Sequence, residues 1–211
     1  MTVRLKSLSA RGEGRIAVLF EIGDGEHIQR ETFLLSAAKV ADLALKVGEC
    51  TTDCYEAVEH SAALEQAVHR GLHLLGYGSA SPKALCRKLV GKGIDRDLAA
   101  EAVDEICQAG YLNEDAQALR EAERCVTKLW GQRRIAAALH EKGYSRESIA
   151  KALYALEDEG MDFVSLCAER IRIHMSPPPK DPAERKKWMA TLCRYGFSTT
   201  EIREAMDHLE E

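Results

Sequence analysis

The chain has 211 residues, enough to bury a core without a metal or disulfide frame, and suits one or two domains or a short array. Its 29 basic and 34 acidic side chains leave a formal charge of -5, which excludes a global basic field that binds nucleic acid indiscriminately; any polyanion-binding surface must be local. Seven cysteines, an odd count scattered through predicted helices, point to a reducing, cytoplasmic setting, and neither a membrane-spanning apolar run nor a signal peptide over residues 1–10 is found.

The first elements are strands. Ile16, Val18, Phe20 and Ile22 alternate with Ala17, Leu19 and Glu21, as on a strand with one buried face, and Gly-rich turns flank them at residues 12–14 and 23–25. Residues 3–34 therefore predict a small antiparallel sheet that must pack on the segments after it. From Ser36 the period becomes helical: Val40, Leu43, Ala44 and Val47 form one stripe that Gly48 stops. A second helix is predicted to begin near Asp53, with Asp53 as its cap and Glu56 three residues on, and to end near Ser61 or Leu75.

Beyond residue 62 every segment has helical periodicity, and one unit recurs. Gly93, Gly143 and Gly196 lie 50 and 53 residues apart. Four residues before each stands Leu89, Leu139 or Leu192, and eight before stands Leu85, Ile135 or Trp188. One residue after comes Ile94, Tyr144 or Phe197, and two after a capping type, Asp95, Ser145 or Ser198. Val103, Leu153 and Met206 follow at ten, and Ile106, Leu156 and Leu209 at thirteen. One column is uneven: Ala99 stands where Ile149 and Ile202 do, and Leu98 is expected to take its role. The glycines read as left-handed stops between paired helices.

Each pair has a predicted helix upstream, over residues 62–75, 113–129 and 162–173. The expected fold is mainly α: a tandem array of three three-helix repeats forming an elongated, curved molecule, with a small N-terminal β-strand and helix region. Its divisions fall at residues 1–61, 62–111, 112–160 and 161–211. Residues 176–182 hold four of the five prolines and predict a stiff loop inside the last unit, whereas Pro82 behind Ser81 suits the first turn of a helix.

The middle unit carries Gly131-Gln132-Arg133-Arg134-Ile135 and Leu139-His140-Glu141-Lys142-Gly143-Tyr144, opened by Gly110-Tyr111-Leu112; the last carries Leu192-Cys193-Arg194-Tyr195-Gly196-Phe197-Ser198. In this order and spacing they resemble the RecX family, regulatory proteins of the RecA recombinase. The resemblance covers about residues 62–210, and the N-terminal region is similar to that of the longer members. Ala80-Ser81 and Ala84-Leu85 stand where the family usually has Arg-Ser and Glu-Leu; Asn113 and Glu114 replace two aspartates, and Gln117 a phenylalanine. The resemblance implies a non-enzymatic protein; a monomer without cofactor or metal is expected. It would bind the RecA filament in its helical groove, with single-stranded DNA inside the filament as a further partner, and restrain recombination and ATP hydrolysis in DNA repair and the SOS response.

The residues themselves offer a candidate surface. Ten positions before each reference glycine stands a cation, Lys83, Arg133 or Lys186; Arg134 and Lys187 adjoin two of these, and Lys92 and Lys142 form a partial second row. With Arg194 of the last motif, the candidate partner-binding set is Lys83, Arg133, Arg134, Lys142, Lys186, Lys187 and Arg194. One account is a basic stripe facing acidic protein or DNA backbone; the other is the solvated face of amphipathic helices. A helix-turn-helix that binds duplex DNA directly is the alternative function, although the cations are spread over all three units.

Other constellations carry less. Cys50 and Cys54 with His60 lack a fourth metal ligand, and His69 and His73, four apart, lack the glutamate of a metalloprotease helix and read as surface residues. Cys86, Cys107, Cys125, Cys167 and Cys193 read as small core residues. Gly91-Lys92-Gly93 lacks the upstream glycine of a phosphate loop. Of two tryptophans that could stack on bases, Trp188 belongs to a core column and Trp130, at an inter-helix corner, keeps both readings; no nucleophile, base and orienting group can be assembled.

Overall fold

The computed structural model describes residues 2–23 and 27–210. Asp24 and Gly25 of the second predicted hairpin turn, and the terminal Met1 and Glu211, lie outside the described residues. The chain forms two compact units: one runs up to Leu74 and includes Lys88–Gln108, the other comprises Leu75–Arg87 and everything from Ala109 onward.

In the first unit, strands β1 (Thr2–Arg11), β2 (Arg15–Gly23) and β3 (Ile28–Ser36) form the predicted antiparallel sheet. Helix α1 (Ala37–Asp42) and a short strand β4 (Gly48–Cys50) follow, and β4 pairs with β1 to give the order β3-β2-β1-β4. Val18, Phe20 and Ile22 face inward with Val3, Leu5 and Leu35, packed with Val58 and Ala62 of α2 (Thr52–Gly76). Each large side chain so buried contributes roughly 2–3 kcal/mol of hydrophobic stabilisation. Glu65 fastens α2 to the strand ends, accepting from the Ser36 amide at 3.0 Å, its hydroxyl at 2.6 Å and the Arg15 guanidinium at 3.1 Å.

Two local expectations change here, and one alternative is decided. The helix predicted through Val47 ends at Asp42, because Ala44 turns left-handed at φ 47 and the chain must extend for Gly48 and Cys50 to pair with Leu5 and Val3. Of its predicted stripe only Val40 is buried, while Val47 is 60% exposed; sheet pairing outweighs the local period. The next helix is capped by Thr51, whose Oγ1 accepts from the Cys54 amide at 3.2 Å, so Asp53 is a first-turn residue instead. That helix runs without a break to Gly76, so residue 61 lies inside it.

Helices α3 (Pro82–Val90) and α4 (Arg96–Gln108) form the first glycine-closed pair. Gly93 takes φ 86, Asp95 caps α4 through the amides of Asp97 and Leu98, and Ala99 is itself fully buried. Leu98 is only half-buried and does not replace it.

The elements of the second unit are all helices. It contains α5 (Glu114–Val126), α6 (Gln132–Glu141), α7 (Arg146–Asp158), α8 (Phe163–His174), α9 (Pro182–Arg194) and α10 (Thr199–Glu210). One core holds Ile135, Leu139, Tyr144, Ile149 and Leu156 together with Trp188, Leu192, Phe197, Ile202 and Met206. Gly143 and Gly196 stand at φ 87 and 96, and the hydroxyls of Ser145 and Ser198 cap α7 and α10 by accepting from Ser148 and Glu201 amides. The acidic residues after Leu112 also serve the fold. Glu114 accepts from the Ser145 amide at 2.7 Å and Asp115 from the Ser148 hydroxyl at 2.6 Å, tying the start of α5 to the start of α7.

Candidate functional site

Helix ends determine where the candidate cations lie. The first amides and last carbonyls of any helix lack partners inside it. At the start of α6 the Gly131 amide donates to the Tyr195 carbonyl at 2.8 Å and the Arg133 amide to the Gly196 carbonyl at 3.2 Å, so the end of α9 satisfies the beginning of α6. The approach is close: a Cβ on Gly131 would lie 2.5 Å from the Gly196 carbonyl carbon, and one on Gly196 would lie 2.4 Å from the Arg134 amide nitrogen. Both positions therefore require glycine.

The start of α3 meets the end of α6 in the equivalent way. Ser81 holds the same offset from its glycine as Gly131, and its hydroxyl donates to the Lys142 carbonyl at 2.7 Å while also capping Ala84. The Lys83 stem covers Gly143, where a Cβ would sit 3.2 Å from the Lys83 Cβ. Lys83 and Arg133 are thereby held beside the carbonyl-rich ends of neighbouring helices, whose dipoles favour a cation. Among the described residues, no helix end bonds to the start of α9 in this way. Helix α9 begins a turn earlier, with Asp181 accepting from the Glu184 amide at 2.9 Å and residues 180–187 exposed.

The seven predicted residues divide accordingly. Lys83, Arg133, Lys186 and Lys187 are exposed and form no ion pair among the described residues. The other three are engaged. Lys142 pairs with Glu121, which also holds Arg124 at 2.7 Å. Burial of the Glu121 carboxyl opposes its ionisation, but Lys142 and Arg124 outweigh that and keep it below the ordinary carboxylate range. Arg194 donates to the Thr191 hydroxyl at 2.9 Å. Arg134 lies 4.1 Å from the Trp130 ring centre and 4.7 Å from that of Tyr195, a half-buried stacked position. Trp130, left open by its sequence position, is thus covered by Arg134, with the Lys128 ammonium 5.2 Å from its ring.

Arg170 was not singled out by the sequence, yet it anchors this corner. It is 7% exposed, its guanidinium carbon lies 3.1 Å from the Tyr195 ring centre, and Nη1 donates to the carbonyls of Lys128 and Leu129 at 3.2 and 3.4 Å. Tyr195 is thus clasped between Arg134 and Arg170. Burial lowers the Arg170 pKa, and Leu129, whose carbonyl it holds, sits in left-handed conformation at φ 55. The available signal was positional: Arg170 interrupts the apolar face that Leu166, Cys167 and Ile171 define on α8.

The remaining constellations resolve locally. Cys50 and Cys54 are half-buried free thiols, and burial followed by the neighbouring Cys54 raises the Cys50 pKa to about 11. His60 faces Glu101 at 2.8 Å, and no group of three or more metal-ligating side chains occurs among the described residues. Cys125 and Cys167 are buried, whereas Cys86, Cys107 and Cys193 are half-buried. Trp188 is buried as predicted, and its indole donates to the Ser176 carbonyl at 3.0 Å, fastening the proline-rich loop. No helix among the described residues is long and apolar enough to cross a membrane.

These elements define a mainly helical protein of glycine-closed helix pairs, joined end to end in its second unit. No family model matches the chain. It is 32% identical over 139 residues to the regulatory protein RecX of Xanthomonas axonopodis pv. citri, covering 65% of this chain and 84% of the relative. A RecX of Chromohalobacter salexigens is 30% identical over 141 residues, 66% of this chain and 90% of that one. A crystal structure of a regulatory protein RecX superposes with a TM-score of 0.71 at 17% identity, over 97% of this chain and 99% of that one. The structure of RecX from Lactobacillus salivarius gives 0.58 at 20% identity over 70% and 97%. The chain belongs to the RecX family of regulatory proteins.

Proposed function

We propose that this chain binds the RecA filament and inhibits its recombination and ATP-hydrolysing activities, acting as a cytoplasmic, monomeric, non-enzymatic regulator. Its contact surface is the basic set read from the sequence, with Lys83, Arg133, Lys186 and Lys187 meeting acidic filament surface or the DNA backbone within it. The tandem division at residues 61, 111 and 160 belongs to the same proposal. The observation that carries it is that cations at equivalent positions are exposed and without carboxylate partners among the described residues, in a chain of charge -5. Unpaired charges of one sign raise the encounter rate with an oppositely charged partner and make binding salt-sensitive.

The test is a titration of the purified protein into RecA hydrolysing ATP on single-stranded DNA, beside a gel shift with duplex DNA alone. Inhibition at substoichiometric amounts, weakening as salt rises, is the expected result. Tight sequence-specific binding of bare duplex without an effect on RecA would instead favour the helix-turn-helix alternative.

A further inference from the structure

A second basic feature lies in the first unit. His69, Arg70, His73 and Leu74 of α2, with Lys92 from the turn after α3, line an open cavity of about 310 Å³. No carboxylate among the described residues lines it. Arg70 and Lys92 are exposed and form no ion pair among the described residues, although acidic side chains outnumber basic ones in the chain. Cations gathered around one concavity repel one another unless an anion occupies it. The volume accommodates a phosphate with part of a nucleotide, Leu74 offers an apolar wall, and guanidinium, ammonium and imidazole are the donors that phosphate oxygens accept from.

We propose that this cavity is a binding site for a phosphate group, carried by a small phosphorylated ligand or by the backbone of single-stranded nucleic acid. Arg70 and Lys92 supply the charge, and the rings of His69 and His73 flank the ligand. This differs from a phosphate loop. The Gly93 amide bonds the Val90 carbonyl and the Lys92 amide the Leu89 carbonyl, so the site works through side chains and not through backbone amides. None of its residues belongs to the proposed filament-binding set, although Lys92 holds the repeat position equivalent to Lys142 of that set, so the site does not depend on the RecA reading.

The experiment follows the His69 and His73 ring resonances of the full chain by NMR during titration with pyrophosphate, with adenosine diphosphate and with a twelve-residue oligothymidylate. Saturable shifts of these two rings are expected with at least one probe. Arg70→Gln and Lys92→Gln, tested separately so that one misfolded variant leaves the other informative, should each weaken binding about tenfold, while Lys186→Glu with Lys187→Glu should leave it unchanged. Saturation by pyrophosphate or the nucleotide assigns a small ligand, and saturation by the oligonucleotide alone assigns nucleic acid backbone. No shift with any probe, or equal affinity in folded Arg70 and Lys92 variants, overturns the site.

Discussion

The start of α6 and the start of α9 hold equivalent cations and employ them differently. At α6 the backbone of Gly131 and Arg133 is bonded to the end of α9, and Arg134 is stacked on Trp130 and Tyr195. At α9 the same offset from glycine carries Lys186 and Lys187 one turn inside the helix, on an exposed N-terminal segment that Asp181 caps. Recurrence of charge alone therefore mixes two roles. Arg134 is taken up by the junction, whereas Lys83, Arg133, Lys186 and Lys187 stay exposed and without an ion pair among the described residues.

The largest effect should come from the junction itself. Gly196→Ala places a Cβ against the Arg134 amide at a left-handed φ and should cost at least about 3 kcal/mol in urea denaturation followed by Trp130 and Trp188 fluorescence. Gly93→Ala, at similar φ but with nothing within 4 Å of the added carbon, should cost only about 1 kcal/mol. Equal losses would mean that backbone conformation, and not close approach, sets the requirement. Next comes Arg170→Ala, which leaves the Lys128 and Leu129 carbonyls without their donor beside a left-handed Leu129; a loss of about 2–4 kcal/mol is expected in the same assay.

Glu121 gives a smaller, pH-dependent effect. Its folded pKa is depressed, so its contribution is fully present above the unfolded carboxyl value near 4.3 and is lost as pH falls through the lower folded value. Glu121→Gln should cost about 1–2 kcal/mol at pH 7 and flatten the acid limb of the stability profile. A parallel acid limb in the variant would remove Glu121 from the account.

Much of the fold was legible because the helix pairs obey local rules. Apolar columns at fixed offsets from Gly93, Gly143 and Gly196, followed by Asp95, Ser145 or Ser198 as caps, encode a pair without reference to distant chain. Gly110 and Gly160, 50 residues apart and both left-handed, closed α4 and α7 by the same rule and went unused. What escaped depends on distant partners. The strand β4 exists because β1 offers an edge, α1 is cut short for it, and Arg170 is intelligible only once Tyr195 and the Leu129 carbonyl reach it from other helices. The candidate cations were visible as types and spacings, but which of them already had partners was not. Glu121 and Lys142 lie 21 residues apart, and Arg134 and Tyr195 lie 61 apart.

The central claim concerns the unengaged cations, and binding to RecA assembled on single-stranded DNA tests it most directly. Lys186→Glu with Lys187→Glu should change folding stability by no more than about 0.5 kcal/mol and weaken filament binding about tenfold or more at low salt, with the difference shrinking as ionic strength rises. Undiminished binding by a normally folded double variant would contradict the assignment of this face.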